Sequence, residues 1–344
     1  MSIRIRTFRI EDAPLWDEFV HRHPYGTPFH LTAWKHCIEN TFGFRSTYLM
    51  AMEADILRGV LPLFLVQNLV IKKALISSPF AVYGGALAES LEVLNALLDY
   101  ANALGQELGV EYIELRNGHA EQATAQPNID RYATFTKSLS DTESGLFETI
   151  PKKTRNMVRK ALKTPFTTRI ENENIENFER LHSRTMRRLG TPCFPKEHFR
   201  GLLRAFKGMV DIREVLLRGR VMAVSMNFYF RETMHTYYAA ADQEFSALAP
   251  NTYMYFDHLL WAGQNGYKTF EFGRSKKGTG AFEFKTHWGT EMRELPYNIV
   301  LLRGQDVPNY SPTNGKFSMA INVWKHLPIP VTRMLGPRLI SMFP

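Results

Sequence analysis

One order of features occurs twice along this chain, and a duplication restricts the possible folds more tightly than composition does. Tyr48 to Gln67 reads as a strand, a turn at Glu53 to Asp55 and a second strand, and Glu214 to Phe230 repeats the pattern around Arg218-Gly219. A further strand follows in each copy, ending at Tyr83-Gly84-Gly85 and at Tyr238-Ala239-Ala240. A helix comes next, from about Leu91 to Leu108 in one copy and from Asn251 to Gln264 in the other. Each helix stops near a glycine. Gly109 then leads into VEYIELRN and Gly266 into YKTFEFGR, so Glu114 and Glu271 stand at the same offset. Strand, strand, strand, helix, strand describes an α/β unit in which helices flank a mixed sheet. Two tandem units are therefore expected. Helices at Ala13 to Phe19 and Thr32 to Phe42 open the first, and one at Ile175 to Leu189 opens the second. The polar stretch His119 to Ser144, with Pro127, marks the expected boundary. The resulting division is 1–140, 141–310 and a tail over 311–344.

Length and composition agree with two cores. The chain has 344 residues, of which 44% are hydrophobic, including 24 Phe and 14 Tyr, enough apolar surface to fold without crosslinks. Cys37 and Cys193 show neither CxxC spacing nor paired histidine ligands, so no metal site or disulfide framework is expected and a reducing, cytoplasmic setting fits best. No apolar segment follows the charged Met1 to Arg9, which argues against a secretory signal. The most apolar run, Gly59 to Val66, is broken by Pro62 and far shorter than the roughly 20 residues of a spanning helix. A net charge of +8 suits RNA, anionic lipid or a phosphorylated substrate, and also many ordinary enzymes.

The chemistry concentrates between Phe270 and Gly289, FEFGRSKKGTGAFEFKTHWG. Phe270 and Phe272 read as the inward face of a short strand, after which Gly273, Gly278 and Gly280 free the backbone where Arg274, Lys276, Lys277 and Lys285 gather. That mixture suits a loop closing over an anionic or polar ligand. Arg274 offers a bidentate grip on a phosphate or carboxylate, or a salt bridge to Glu271 or Glu283. Lys152, Arg155, Arg159 and Lys163 are spaced to share one face of a helix, with Met157, Val158, Ala161 and Leu162 packed beneath. His182, His258 and His287 show no HExxH or triad spacing.

Phe284-Lys285 followed by Trp288-Gly289, preceded by Glu271-Phe272-Gly273, looks like the FK-x-x-[FW]-G and [ED]-F-G signatures of one acyltransferase group. Trp34, Phe42-Gly43, Ser78-Pro79-Phe80, Tyr83-Gly84-Gly85 and the basic segment Lys152 to Lys163 support the match. On these residues the chain resembles the FemAB-like branch of the GNAT acyltransferase superfamily, whose members carry two tandem acyltransferase-type domains. Gly190-Thr191-Pro192, Gly273-Arg274-Ser275 and Trp324-Lys325 are similar to proteins encoded with PEP-CTERM/exosortase and exopolysaccharide systems. The resemblance implies two GNAT-like domains and transfer of an acyl or aminoacyl group to an amine, with the active site in the second domain. Lys285 is then the candidate oxyanion donor, because a fixed ammonium sheltered from water stabilises the charge that builds on an attacked carbonyl. A lysine on an open strand edge has the same spelling. Arg274 joins Lys285 as a catalytic candidate. Arg155, Arg159 and Trp288 are expected to bind substrate, together with Tyr237 and Tyr238, which stand on the strand that splays from its neighbour to admit the donor. Strand alternation places those two tyrosines on opposite faces.

The donor implied is an acyl-CoA or other acyl group carrier, with aminoacyl-tRNA as the alternative, and no metal. Ordinary GNAT enzymes hold the CoA pyrophosphate on a glycine-rich turn at a helix N-terminus. The corresponding segment here, Gln243 to Asn251, reads QEFSALAPN and contains no glycine. Expected partners are a small-molecule, glycan or peptide precursor, or tRNA. In the tail, Trp324, Leu327, Ile329, Leu335 and Ile340 beside Lys325, Arg333 and Arg338 suit either peripheral contact with the inner face of a membrane or packing against the body.

Overall fold

The computed structural model describes residues 2–122, 129, 132–303 and 318–344; Pro127 of the expected boundary and the first residues of the tail lie outside them. The first half of the chain runs β1 (Ile3–Thr7), α1 (Ala13–Arg22), α2 (Thr32–Phe42), β2 (Arg45–Glu53), β3 (Ile56–Asn68), β4 (Lys72–Ile76), β5 (Leu87–Ala88), α3 (Leu91–Leu108) and β6 (Tyr112–Leu115). Then come β7 (Tyr132–Ser138), α4 (Glu143–Thr149), α5 (Lys152–Ala161), β8 (Thr167–Ile170), α6 (Glu176–Leu189), α7 (Lys196–Ala205), β9 (Val210–Leu217) and β10 (Arg220–Phe230). The rest comprises β11 (Thr233–Ala241), α8 (Pro250–Gln264), β12 (Thr269–Glu271), β13 (Ser275–Lys276), α9 (Gly280–Thr286), β14 (Glu291–Glu294), β15 (Asn298–Leu301), α10 (Ser318–His326) and α11 (Ile329–Ile340).

The chain forms two compact units. The first holds Met1–Arg131, Glu294–Ser311 and Arg338–Pro344; the second holds Tyr132–Arg293 and Pro312–Pro337. The division therefore differs from one at residues 140 and 310. Strand β7 lies inside the stretch read as a boundary, yet Ala133 and Phe135 are fully buried and the strand pairs with β12 in the second sheet. Its Thr and Lys residues masked a core strand.

Each sheet is mixed, and both follow the repeated order. In the first unit the strands run β1-β2-β3-β4-β6-β15, with β5 on β3; in the second they run β13-β7-β12-β11-β10-β9-β8, with β14 on β7. The hairpins β2/β3 and β9/β10 are antiparallel, and each is followed by a parallel pair across a helix, β4/β6 and β11/β12. Glu114 pairs with Ile76 and Glu271 with His235, so the two glutamates occupy the last parallel step of their sheets. Helix α3 is fixed by Ser90, whose hydroxyl accepts from the Val93 N–H, and by Gly109 at φ +66°. Leu94, Leu97 and Ala101 form its buried stripe.

The copies part after the parallel pair. Strand β4 ends at Ile76, not at Gly85, because the following segment folds into the opening beside it and is buried from Ser77 to Leu87. Arg116, buried beyond β6, holds that plug: its guanidinium donates to the carbonyls of Ser78 and Ala81 at 3.3 Å, to Pro344 at 2.7 Å and to the Glu114 carboxylate at 2.8 Å. The opening in the first unit is filled by its own chain.

The tail packs. Trp324 is buried and its indole N–H donates to the Thr191 carbonyl, Arg333 pairs with Glu179 at 2.7 Å, and Cys193 meets the Thr332 carbonyl. Ile340 is buried, and Leu327, Ile329 and Leu335 are half-buried. Among the described residues no helix is long and apolar enough to cross a membrane.

Candidate active site

In the second unit the two parallel strands also part. Strands β11 and β12 pair only over Thr233–His235 and Thr269–Glu271; β12 then stops, while β11 continues to Ala241. Gly273 turns the chain at φ +74°, and a Cβ there would lie 3.8 Å from the Thr236 carbonyl and 4.0 Å from Lys285 Nζ. The parting of two parallel strands at their carboxyl ends is a place where α/β sheets take ligands.

Lys285 comes to that point on a helix. Thr279 caps α9, its hydroxyl accepting from the Phe282 N–H at 3.3 Å, so the glycine-rich stretch ends in a short helix instead of a mobile loop or an open strand edge. Lys285 is only 8% exposed. Its Nζ donates to the carbonyls of Gly273 at 2.8 Å and Arg274 at 3.0 Å, which leaves the third N–H of the ammonium without a partner among the described residues. Burial lowers its pKa to about 7; the Glu271 carboxylate opposes that shift and the Arg274 charge adds to it. Glu271, itself buried, accepts from the Thr134 hydroxyl and from the Gly273 N–H at 3.0 Å. One carboxylate thus fixes the turn whose carbonyls hold the lysine.

The other candidates divide. The Arg274 guanidinium sits 4.7 Å from the centre of the Tyr132 ring, while its backbone carbonyl holds Lys285. Trp288 is fully buried against Tyr255, Phe272 and Phe284, packed beneath α9. Helix α5 is tied to the end of α9 by the Thr154 hydroxyl, which donates to the His287 carbonyl. Arg155 is half-buried and donates to the Ile150 carbonyl at 3.2 Å; Arg159 is exposed with its guanidinium 5.5 Å from the Phe147 ring centre. Val158 and Ala161 pack beneath the helix with Thr154, whereas Met157 and Leu162 are 41% and 40% exposed. The shorter repeat of buried positions leaves those two on the rim.

Tyr237 and Tyr238 do not face opposite ways. The register of β11 against β10 skips from Tyr238 opposite Met226 to Thr236 opposite Asn227, making Tyr237 the extra residue of a β-bulge. The rings stand 4.7 Å apart, Tyr237 against Phe228 and Tyr238 against His182, His198 and Phe199. The Tyr238 hydroxyl meets His198 Nε2 at 2.9 Å. Burial drives His198 down to about 3 and His182 to about 4, so both rings are neutral. Neither tyrosine is hydrogen-bonded to Lys285.

Sequence spacing missed a second contact chain. Ser225 Oγ lies 2.7 Å from His258 Nε2, and His258 Nδ1 lies 3.6 Å from Asp257. Ser225 and His258 are fully buried, so the hydroxyl has no access to a substrate and the chain is part of the core. Segment Gln243–Leu248 forms a 3₁₀ turn, and Ala249 at φ +56° leads into Pro250 of α8, a different shape from a glycine turn.

Two α/β units with mixed sheets flanked by helices, one opening filled and the other holding a buried lysine, define a tandem GNAT-like fold. Residues 152–286 match the family model described as an acetyltransferase (GNAT) domain. The fold is similar to FemX, with a TM-score of 0.66 and 17% identity over 86% of this chain and 97% of that one. It is also similar to a tandem GNAT protein from the clavulanic acid biosynthesis pathway (TM-score 0.54, 10% identity, 89% of this chain and 100% of that one). L-PGS from Bacillus licheniformis is a third likeness, at 0.53 and 12% identity over 96% and 97% of the two chains. No curated protein sequence matches the chain.

Proposed function

We propose that the chain is an acyltransferase that moves an acyl or aminoacyl group onto an amine of a cell-envelope or exopolysaccharide-related precursor, a glycan or a peptide. The observation that carries this reading is the Lys285 ammonium, held by two carbonyls where β11 and β12 part, with one N–H left to donate. The acceptor nitrogen attacks the donor carbonyl carbon, a C–N bond forms, and the π electrons move onto oxygen. Lys285 donates its third N–H to that oxyanion. Collapse restores the carbonyl and expels the thiolate or alkoxide of the donor, and the proton shed by the attacking nitrogen completes the leaving group. Arg274, Arg155 and Arg159 supply cationic contacts for an anionic acceptor.

The match of residues 152–286 to an acetyltransferase domain supports acyl-CoA as donor. The glycine-free shape of Gln243–Asn251 supports aminoacyl-tRNA as the second reading. Thermal-shift titration with acyl-CoA thioesters, nucleotide sugars and charged tRNA separates them, because only a ligand of the native state raises its melting point. Stabilisation and acyl transfer by a thioester are expected. Stabilisation by a glycan or peptide alone, with no transfer from either donor, would overturn the enzymatic reading in favour of a binding protein.

A further inference from the structure

A row of polar side chains crosses the second sheet where β11 leaves β12. Asp211 of β9, Asn227 of β10 and Thr236 of β11 stand opposite one another on three neighbouring strands. The Thr236 hydroxyl donates to Asn227 Oδ1 at 2.8 Å, and Asn227 Nδ2 donates to Asp211 Oδ1 at 2.9 Å and to Ser225 Oγ at 3.1 Å. Asp211 Oδ2 accepts in turn from the Tyr229 hydroxyl at 2.7 Å and from Arg213 Nε at 3.0 Å. Asn227 is fully buried, and Thr236 and Asp211 are buried with it. Burying a carboxamide costs free energy unless both its ends are hydrogen-bonded, and here both are. Further along the same two strands Val215 faces Ala223, so apolar residues fill the sheet where nothing needs holding.

Thr236 needs holding. His235 is the last residue of β11 paired with β12, and Tyr237 is the extra residue of the bulge, so the ladder to β12 ends just before Thr236 and the ladder to β10 breaks just after it. The Thr236 carbonyl borders the opening opposite Gly273, 3.8 Å from where a Cβ would stand, and the Gly273 carbonyl holds Lys285 at 2.8 Å. A shift of Thr236 therefore changes the width of the opening beside the ammonium.

We infer that Asn227 is a positioning residue: its carboxamide ties the first residue of β11 beyond the parting to β9 and so fixes the gap in which Lys285 meets the donor carbonyl. The part in catalysis rests on the acyltransferase reading; the effect on the lysine does not.

Nuclear magnetic resonance titration of Lys285 in the full chain, labelled with carbon-13 at lysine Cε and assigned by the signal lost in Lys285→Arg, tests it. Thr236→Val keeps the side-chain shape and removes the hydroxyl, whereas Thr236→Ser keeps the hydroxyl. In the valine variant the gap widens and admits water, which should lift the lysine midpoint from about 7 to about 8 or above, while the serine variant stays near the native value. Glu271, Arg274 and the Phe135 ring face the ammonium equally in all three chains, so the displacement reports on the gap. Val215→Ala loosens the same sheet without touching the row and should leave the midpoint in place. A native midpoint in Thr236→Val, or an equal displacement in Val215→Ala, would overturn the positioning role. If Thr236→Val does not fold by circular dichroism, Thr236→Ala replaces it with the same expectation. Acyl transfer should show kcat lowered about tenfold or more at unchanged KM in the valine variant and restored in the serine one. An unchanged kcat beside a displaced midpoint would overturn the part in catalysis. A native chain that transfers no acyl group would instead sink the acyltransferase reading, and the midpoints would still decide whether Asn227 positions the lysine.

Discussion

Lys285 illustrates how burial sets both a rate and a stability, with opposite signs in pH. Lys285→Ala should retain the fold by circular dichroism and lower kcat by about 10² to 10³, the usual cost of one oxyanion donor. The ammonium fraction falls as pH rises through about 7, so the step it supports should fall over the same interval. Lys285→Arg, whose guanidinium stays charged, should lose that inflection; a profile unchanged in the variant would remove the lysine from the step. Stability moves the other way. Between about 7 and 10.5 the unfolded chain carries the proton that the native lysine has shed, so stability rises with pH across that window. Denaturant melts at its two ends should show the native chain gaining on Lys285→Met. The lysine was legible from Phe284-Lys285 and Trp288-Gly289. What orients it was not, because Thr134 reaches Glu271 across 137 residues of chain and no local pattern encodes such a pairing. Trp288 was legible only as an aromatic neighbour; sequence does not say that its ring points into the core.

At the scale of elements, a glycine's surroundings decide what it does. Gly280, read as a source of mobility, is the first residue of α9 with open space at its Cβ and no left-handed backbone, so Gly280→Ala should be neutral or stabilising by up to about 1 kcal/mol. Gly289 sits at φ +65° with its Cβ position 2.6 Å from the Thr149 carbonyl. Gly289→Ala should destabilise by more than about 1 kcal/mol in the same urea melts, since strain and a backbone clash add. The hairpins and the helices α3 and α8 were legible because each has an uninterrupted period and a glycine or turn at its end. The end of β4 was not, since Ser77 to Leu87 is as apolar as a strand and only the Arg116 hydrogen bonds show why it bends. Nor was the turn of Tyr237, because alternation holds only while neither strand carries an extra residue.

On the scale of the whole molecule, the order of the chain and the order of the units disagree. A fragment starting at Tyr132 keeps β7 on β12 and should fold cooperatively with its neighbours, whereas one starting at Asp141 strips Thr134 from Glu271 and leaves the β12 edge bare. Urea denaturation followed by tryptophan fluorescence should show a cooperative transition for the first and a loss of it for the second. Strand β15 pairs with β6 although 183 residues separate Asn298 from its partner Leu115. At roughly 5 to 20 residues per second, a ribosome needs on the order of 10 to 40 seconds to deliver that last strand. During translation the second sheet, all of whose strands precede β15, can therefore close first, while the first waits with a bare edge, an interval in which a chaperone has something to hold.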